Sequence, residues 1–231
     1  MKPLEGKRAW LVGDRGRLGP VWRSALEDAW ATVSVTGSPD WDIVRSPIPA
    51  LVPDVLVINA GVDDRPGSAE PWPKYETAEA MCRVNLLGAY RMLVEVGGKM
   101  APGSSIILIA SLYGLVSPDA RYYDHRPDKW MKSAMYGATK AGVISMVKYF
   151  AALYGPRGVR VNALAPGGVW DPDDPLTQGD PEFIKKYTAR IPMGRMCQPS
   201  DLAGPLVFLA SDASSFMTGQ TLVLDGGFTC F

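Results

Sequence analysis

Tyr136 and Lys140 stand at positions i and i+4 in Tyr136-Gly-Ala-Thr-Lys140, and Ser111 closes the apolar run Ile106-Ile-Leu-Ile-Ala110. On a helix, residues four apart share a face. An ammonium there can draw a phenol down from its usual pKa of about 10 toward neutrality, which suits it to donate or accept a proton. A serine hydroxyl at the carboxyl end of a neighbouring strand lies where open α/β sheets bind their ligands. The same Tyr/Lys spacing also occurs on solvated helix faces, so its surroundings decide its meaning.

A second group lies near the start of the chain, in Gly13-Asp-Arg-Gly16-Arg-Leu-Gly19, between a strand-like run and a helix-like one. Glycine there permits a tight turn and lets phosphates approach amides at a helix N-terminus, whose dipole favours anions. A βα turn needs glycine for steric reasons as well.

The elements that must position these groups read as short apolar strands alternating with amphipathic helices, the pattern of a parallel sheet covered on both faces. Strands are expected at Arg8–Val12, Ala31–Thr36, Asp54–Asn59, Ser104–Ala110, Gly158–Leu164 and Thr221–Asp225. Helices are expected at Leu18–Trp30, Tyr75–Met100, Ser133–Tyr154, Pro181–Arg190 and Ser200–Ser211. The fold class is therefore α/β, a Rossmann-like doubly wound parallel sheet in one domain over residues 1–231. Residues 37–53 contain Pro39, Pro47, Pro49 and Pro53 and cannot hold two helices and a strand. The sheet is expected to be truncated between its second strand and the Asn59-Ala-Gly61 strand, with at most a vestigial strand at Asp42–Val44.

Of 231 residues, 47% are hydrophobic, and Lys plus Arg and Asp plus Glu number 24 each. Such a chain buries a core and carries no net charge to attract nucleic acid or an anionic membrane. Cys82, Cys197 and Cys230 are odd in number and widely spaced, and His125 is the one histidine, which argues against a disulfide framework and a metal site. No apolar run approaches the roughly 18 residues of a membrane span, and the N-terminal residues show no signal-peptide core. A cytoplasmic protein is expected. Met193, Met196, Trp10, Trp22 and Trp30 are expected to serve packing.

The sequence resembles the short-chain dehydrogenase/reductase family over essentially its whole length. The matching pieces follow family order: Gly13–Gly19, Asn59-Ala-Gly61, Val84-Asn85-Leu86, the Ser111 strand end, Tyr136-x-x-x-Lys140, Arg160-Val-Asn162-Ala, Pro166-Gly167 and Thr218-Gly-Gln with Asp225-Gly-Gly227. The resemblance implies Tyr136 as general acid/base and Ser111 as the group that polarises the substrate carbonyl. Lys140 would hold the nicotinamide ribose and depress the Tyr136 pKa, and Asn85 would place a proton-relaying water. Gly13, Arg15, Arg17, Leu18 and Gly19 would face the dinucleotide phosphates. Asn59, Ala60 and Gly61 would line the cofactor at the central strand, and Pro166, Gly167 and Val169 would border the nicotinamide.

Three departures from the family pattern stand out. Arg17 replaces the middle glycine of Gly-x-x-x-Gly-x-Gly and can block approach to the pyrophosphate. Thr36-Gly37-Ser38 follows the second strand where an acidic residue would mark NAD, so NADP is favoured over NAD, with Arg15 or Arg17 pairing a 2′-phosphate. Asp171 stands where the family's threonine contacts the carboxamide. Ser111 and Tyr136 are also 25 positions apart, a long gap. Its residues 117–130 carry Arg121, His125, Arg126 and Lys129 with Tyr122, Tyr123 and Trp130, which suits a wall over a polar, sugar-like or anionic substrate. The same segment also reads as a surface loop whose Asp119, Asp124 and Asp128 balance its bases. Tyr113, Arg121, Tyr123 and Trp170 are the substrate-binding candidates, and 170–180 is the candidate mobile loop.

Three functions follow. The first is hydride transfer between NADP(H), or NAD(H), and a small polar carbonyl or alcohol. The second is redox-neutral acid/base chemistry, a dehydration, isomerisation or condensation, on a fold that binds no dinucleotide. The third is a non-catalytic subunit. A small-molecule substrate is expected, with a homodimer or homotetramer formed through the 75–100 and 133–154 helices.

Overall fold

A computed structural model describes residues 2–63, 74–127, 130–174 and 179–230. Six parallel strands form one sheet: β1 (Arg8–Val12), β2 (Thr32–Thr36), β3 (Val55–Ile58), β4 (Ser105–Ile109), β5 (Arg160–Pro166) and β6 (Thr221–Leu224). They lie in the order β2-β1-β3-β4-β5-β6. Every residue of β3 and β4 is buried, as expected of strands covered on both faces.

Helices cover both faces: α1 (Gly19–Asp28), α2 (Tyr75–Met81), α3 (Ala89–Glu95), α4 (Ala134–Tyr154), α5 (Pro181–Ala189) and α6 (Pro199–Ala210). Alternation along the strands sorts the core into two layers. Trp10, Val12, Leu56, Ile58, Ile106 and Leu108 meet Met92 and Leu93 of α3 and Val143 and Val147 of α4. On the other face Leu11, Val57, Ile107 and Ile109 meet Trp22 and Leu26 of α1 and Leu202, Leu206 and Leu209 of α6. This is a doubly wound, Rossmann-like sheet, as the periodicity predicts.

The segment between β2 and β3 holds neither helix nor strand. The vestigial strand expected at Asp42–Val44 is instead a turn: Asp42 Oδ1 accepts from the Val44 amide at 2.7 Å, and the Ser46 amide donates to Asp42 O at 2.9 Å. Asp42 takes this form because its short carboxylate satisfies its own backbone two residues on. The turn directs apolar side chains onto the α3/α4 face. Ile43 is buried, Trp41 meets Trp10 edge-on at 6.1 Å, and Val44, Ile48 and Leu51 pack beside them. Gly88 makes room for this, since a Cβ there would lie 2.7 Å from the Ile43 side chain.

The helix expected over Tyr75–Met100 is interrupted. A π-helical stretch, Cys82–Gly88, separates α2 from α3, and a short 3-10 turn follows at Gly97–Lys99. Asn85 lies inside the π-helical stretch, where the widened turn carries its side chain to the strand ends; such bulges mark functional positions.

Trp10, Trp22 and Met196 are buried as expected, but Trp30 and Met193 are not, at 55% and 64% exposure. Trp30 ends the chain's run out of α1 with a positive φ of 74°, which turns its ring outward beneath the Lys2 ammonium, 3.8 Å from the ring centroid. Cys82, Cys197 and Cys230 are free thiols. Among the described residues no helix is long and apolar enough to cross a membrane, and no cluster of His, Cys, Asp or Glu is placed to hold a metal ion.

Candidate active site

The carboxyl ends of the strands carry the candidate residues. Ser111 follows β4 and its hydroxyl accepts a hydrogen bond from the Tyr113 amide at 3.2 Å, which starts the 3-10 turn Leu112–Gly114. Ser133 caps α4 by accepting from the Met135 amide at 3.1 Å, so the helix begins just before Tyr136. The two elements meet closely, because a Cβ on Gly137 would lie 2.8 Å from Tyr113 O. The Tyr136 phenol is thereby brought beside the Ser111 side chain, close enough for the two to interact.

Lys140, one turn on, is 5% exposed, and its ammonium donates to Ile109 O at 2.8 Å. Burial lowers its pKa to about 8, with the charge of Asp63 opposing the shift. Tyr136 moves the other way. Burial pushes its phenol well above the usual value, the charge of Asp63 adds to this, and the Ser111 side chain and Arg17 oppose it. The expectation that Lys140 draws the phenol toward neutrality is therefore corrected for the resting site. Lys140 Nζ stands 5.7 Å from the ring centroid, and loss of hydration is the largest cause of the phenol's shift. The phenol rests protonated, as a proton donor.

Asn85 is buried and fastens the strand end to the helix. Its Oδ1 accepts from the Val62 amide at 2.8 Å, and its Nδ2 donates to Val62 O at 2.9 Å and to Thr139 Oγ1 at 3.1 Å. Asn85 Oδ1 and Lys140 Nζ both flank Gly61, within 3.4 and 3.5 Å of where a Cβ would stand. Asn59 supports the neighbouring turn: its Nδ2 donates to Gly13 O at 2.6 Å and its Oδ1 accepts from the Trp22 indole at 2.8 Å. Ala60 lies against Gly13, whose φ of 94° and 2.5 Å clearance to the Ala60 nitrogen admit no side chain.

The glycine turn fits a dinucleotide phosphate. Nothing lies within 4 Å of a Cβ position on Gly16, and α1 begins at Gly19 with no side chain capping the amides after Leu18. A cavity of about 310 Å³ lies between Arg15, Gly16, Arg17 and Leu18 on one side and Val169, Trp170 and Asp171 on the other. Pro166 ends β5, and the Gly167 amide donates to Leu224 O at 2.8 Å. Two departures from the family pattern prove to be one interaction. Arg17 Nε donates to Asp171 Oδ2 at 2.7 Å, and the same guanidinium pairs with Asp174. Arg15 pairs with Asp40 beyond the end of β2, on the surface.

Three of the four substrate-binding candidates come together. Tyr113, Tyr123 and Trp170 join Tyr122, Trp130, Phe183, Tyr187 and Phe228 in an aromatic cluster beside Ser111. Burial pushes the Tyr113 and Tyr123 phenols up, and the two lie near each other. Arg121 does not join them. Its side chain is 81% exposed and chelates Asp119 on the outer face, beside Tyr122, Lys186 and Arg190. Elsewhere among the described residues of the segment, Asp124 pairs with Lys186, while His125 and Arg126 hold Asp180, the cap of α5. Asp128, Lys129 and residues 175–178 of the 170–180 loop lie outside the described residues.

Sequence reasoning missed four contributors. Thr139 partners Asn85, and the Tyr187 hydroxyl accepts from the Gly168 amide at 2.9 Å. Asp63 and Lys132 form an ion pair at the site, with Lys132 Nζ 5.2 Å from the Tyr136 ring centroid. Their spacing carries no local signal, although a carboxylate directly after Asn-Ala-Gly-Val could have been flagged.

A parallel sheet with this serine, tyrosine, lysine and asparagine gathered at its carboxyl edge defines a class of nucleotide-dependent oxidoreductase fold. A family model described as enoyl-(acyl carrier protein) reductase matches residues 52–229, and the chain belongs to the short-chain dehydrogenase/reductase family. L-rhamnose 1-dehydrogenase (NAD(P)(+)) of Sphingomonas sp. (strain SKA58) is 37% identical over 177 residues, 75% of this chain and 64% of that protein. A gluconate 5-dehydrogenase from Burkholderia cenocepacia J2315, solved with NADP and tartrate, superposes with a TM-score of 0.82 at 26% identity, over 100% of this chain and 98% of that one. A short-chain dehydrogenase from Leptospira borgpetersenii serovar Hardjo-bovis with bound NAD+ gives 0.81 at 27% identity, over 98% and 94%. The chain spans less than two thirds of the length of several curated relatives it matches.

The buried ammonium makes a pH prediction. The folded Lys140 pKa of about 8 lies below its ordinary 10.5. The unfolded chain therefore holds more protons between those values, and stability rises with pH across that window. Urea unfolding at several pH values should show wild type gaining on Lys140→Met from about pH 8 to 10.5. A constant gap would contradict a buried ammonium.

Proposed function

We propose that the chain is an oxidoreductase of NAD(P)(H) that interconverts a hydroxyl and a carbonyl on a small sugar- or polyol-like substrate. The observation that carries this is the gathering of the Tyr136 phenol, Ser111 and a buried Lys140 at the same strand edge as the open glycine turn. The names of the relatives point to the substrate class: rhamnose, arabinitol and gluconate dehydrogenases.

A dinucleotide bound along the strand ends would supply the hydride acceptor or donor. The chain's own residues handle position and proton. Ser111 hydrogen-bonds the reacting oxygen, and Tyr136 gives that oxygen its proton in reduction or takes it in oxidation. Lys140, with a pKa of about 8, keeps its ammonium at neutral pH and can restore the phenol's proton. Asn85 Oδ1 retains one lone pair beside Lys140, which suits it to hold a relaying water. Gly13, Gly16, Leu18 and Gly19 would face the phosphates, Ala60 and Gly61 the central part of the cofactor, and Pro166, Gly167 and Val169 the nicotinamide. Asn59 acts by holding the turn.

The connection between β2 and β3 is read as a shortened adenosine-binding edge. Arg15 and Asp40 face solvent there, and exposed pairs contribute only about 0–1 kcal/mol, so a ligand opens them cheaply. Arg15 then suits a 2′-phosphate, and NADP is favoured over NAD. Residues 1–231 are taken as one domain of a cytoplasmic protein.

Tyr136→Phe should lower turnover of sugar or polyol by roughly 10²–10⁴-fold while leaving the fold and nucleotide binding intact. Nicotinamide absorbance with L-rhamnose, D-arabinitol and D-gluconate measures this, and unchanged turnover would remove Tyr136 from the mechanism.

A homodimer or homotetramer is proposed through α3 and α4. Leu87, Tyr90, Val94, Tyr149 and Leu153 are exposed, and Tyr90 and Tyr149 both flank Phe150, at 6.0 and 5.3 Å, so the apolar patch runs across both helices. Light scattering should give at least a dimer for wild type and a smaller species for Tyr149→Lys; a monomeric wild type would contradict it.

A further inference from the structure

Asp63 and Lys132 form an ion pair at the mouth of the site that the acid/base chemistry does not use. Both are held by rigid neighbours. Asp63 follows Val62, whose amide and carbonyl are fixed by the Asn85 side chain. Lys132 precedes Ser133, the cap of α4. The side chains are 30% and 18% exposed, so the pair is half-sheltered and still open to a ligand. Lys132 Nζ lies 5.2 Å from the Tyr136 ring centroid and 5.4 Å from that of Trp130, which fixes the ammonium beside the reacting phenol. The carboxylate of Asp63 acts electrostatically on both Tyr136 and Lys140, so it too borders the reacting centre.

Two features of this pair select a ligand. A carboxylate only accepts hydrogen bonds and an ammonium only donates them, while each hydroxyl of a vicinal diol does both. A diol can therefore bond both groups and leave their mutual attraction in place. The pair is also neutral as a unit. A substrate carboxylate would gain from Lys132 and lose to Asp63 at nearly the same distance, with its own dehydration uncompensated.

We propose that Asp63 and Lys132 are specificity-determining residues that bind a vicinal diol next to the reacting carbon and select neutral polyhydroxylated substrates over sugar acids. This rests on the oxidoreductase reading above and adds the charge class of the substrate. The test is steady-state kinetics of wild type, Asp63→Asn and Lys132→Met with L-rhamnose and D-arabinitol as neutral probes and D-gluconate as the anion, with folding checked by circular dichroism.

Wild type should show its lower KM with a neutral probe. Each variant should raise that KM by about tenfold, the worth of one charge-assisted hydrogen bond, with a smaller fall in kcat. Asp63→Asn should also lower the KM for D-gluconate, because Lys132 is left unopposed, whereas Lys132→Met should not. Unchanged KM values in both variants, or a fall in kcat alone, would overturn the pair as a recognition site and leave the oxidoreductase reading standing. Failure of wild type to turn over any of the three probes, with NADPH binding intact, would overturn the sugar reading and the proposal with it.

Discussion

One buried hydrogen bond carries much of the architecture. The Lys140 ammonium, almost free of solvent, donates to Ile109 O at the last residue of β4. A charge in that position is costly unless it is bonded, and the bond holds the start of α4 against the carboxyl end of the sheet. Ser111 lies two residues past that carbonyl and Tyr136 one helical turn before that lysine, so the same contact sets their separation. Asn85 completes the assembly from the π-helical stretch by joining Val62 to Thr139 on α4. The proton-handling groups thus sit on strand ends and a helix start, where backbone freedom is small.

The nucleotide side is built on a different principle. Its turn is braced from within by Asn59, which bonds Gly13 and the Trp22 indole together. Across the cleft, Arg17 meets Asp171 and Asp174. Taken singly, an arginine in place of a glycine and an aspartate in place of a threonine each look damaging. Together they are an ion pair that joins the glycine turn to the chain following β5, and the Gly16 position beside them stays open.

Much of this was legible in the sequence, and the failures have physical causes. Strands buried on both faces read directly as runs such as Val55–Ile58, and Ser133 and Pro181 mark helix starts. The break at Asn85 was invisible because one widened turn barely disturbs the apolar spacing of a long helix. The outward position of Arg121 was not legible because it depends on Asp119, two residues away, taking its guanidinium on the outer surface. The direction of the Tyr136 shift depends on lost hydration, which no spacing reveals. Asp63 and Lys132 meet across 69 positions, beyond any local pattern.

Hydride chemistry here requires that this strand edge, with its Arg17–Asp171 pair, take up a dinucleotide. Calorimetric titration of the protein with NADPH and then NADH tests that directly. Saturable binding with a single class of site is predicted, tighter for NADPH. No heat of binding with either nucleotide up to roughly millimolar concentration, about −4 kcal/mol in affinity, would contradict the account and turn attention to redox-neutral chemistry at Tyr136 and Lys140.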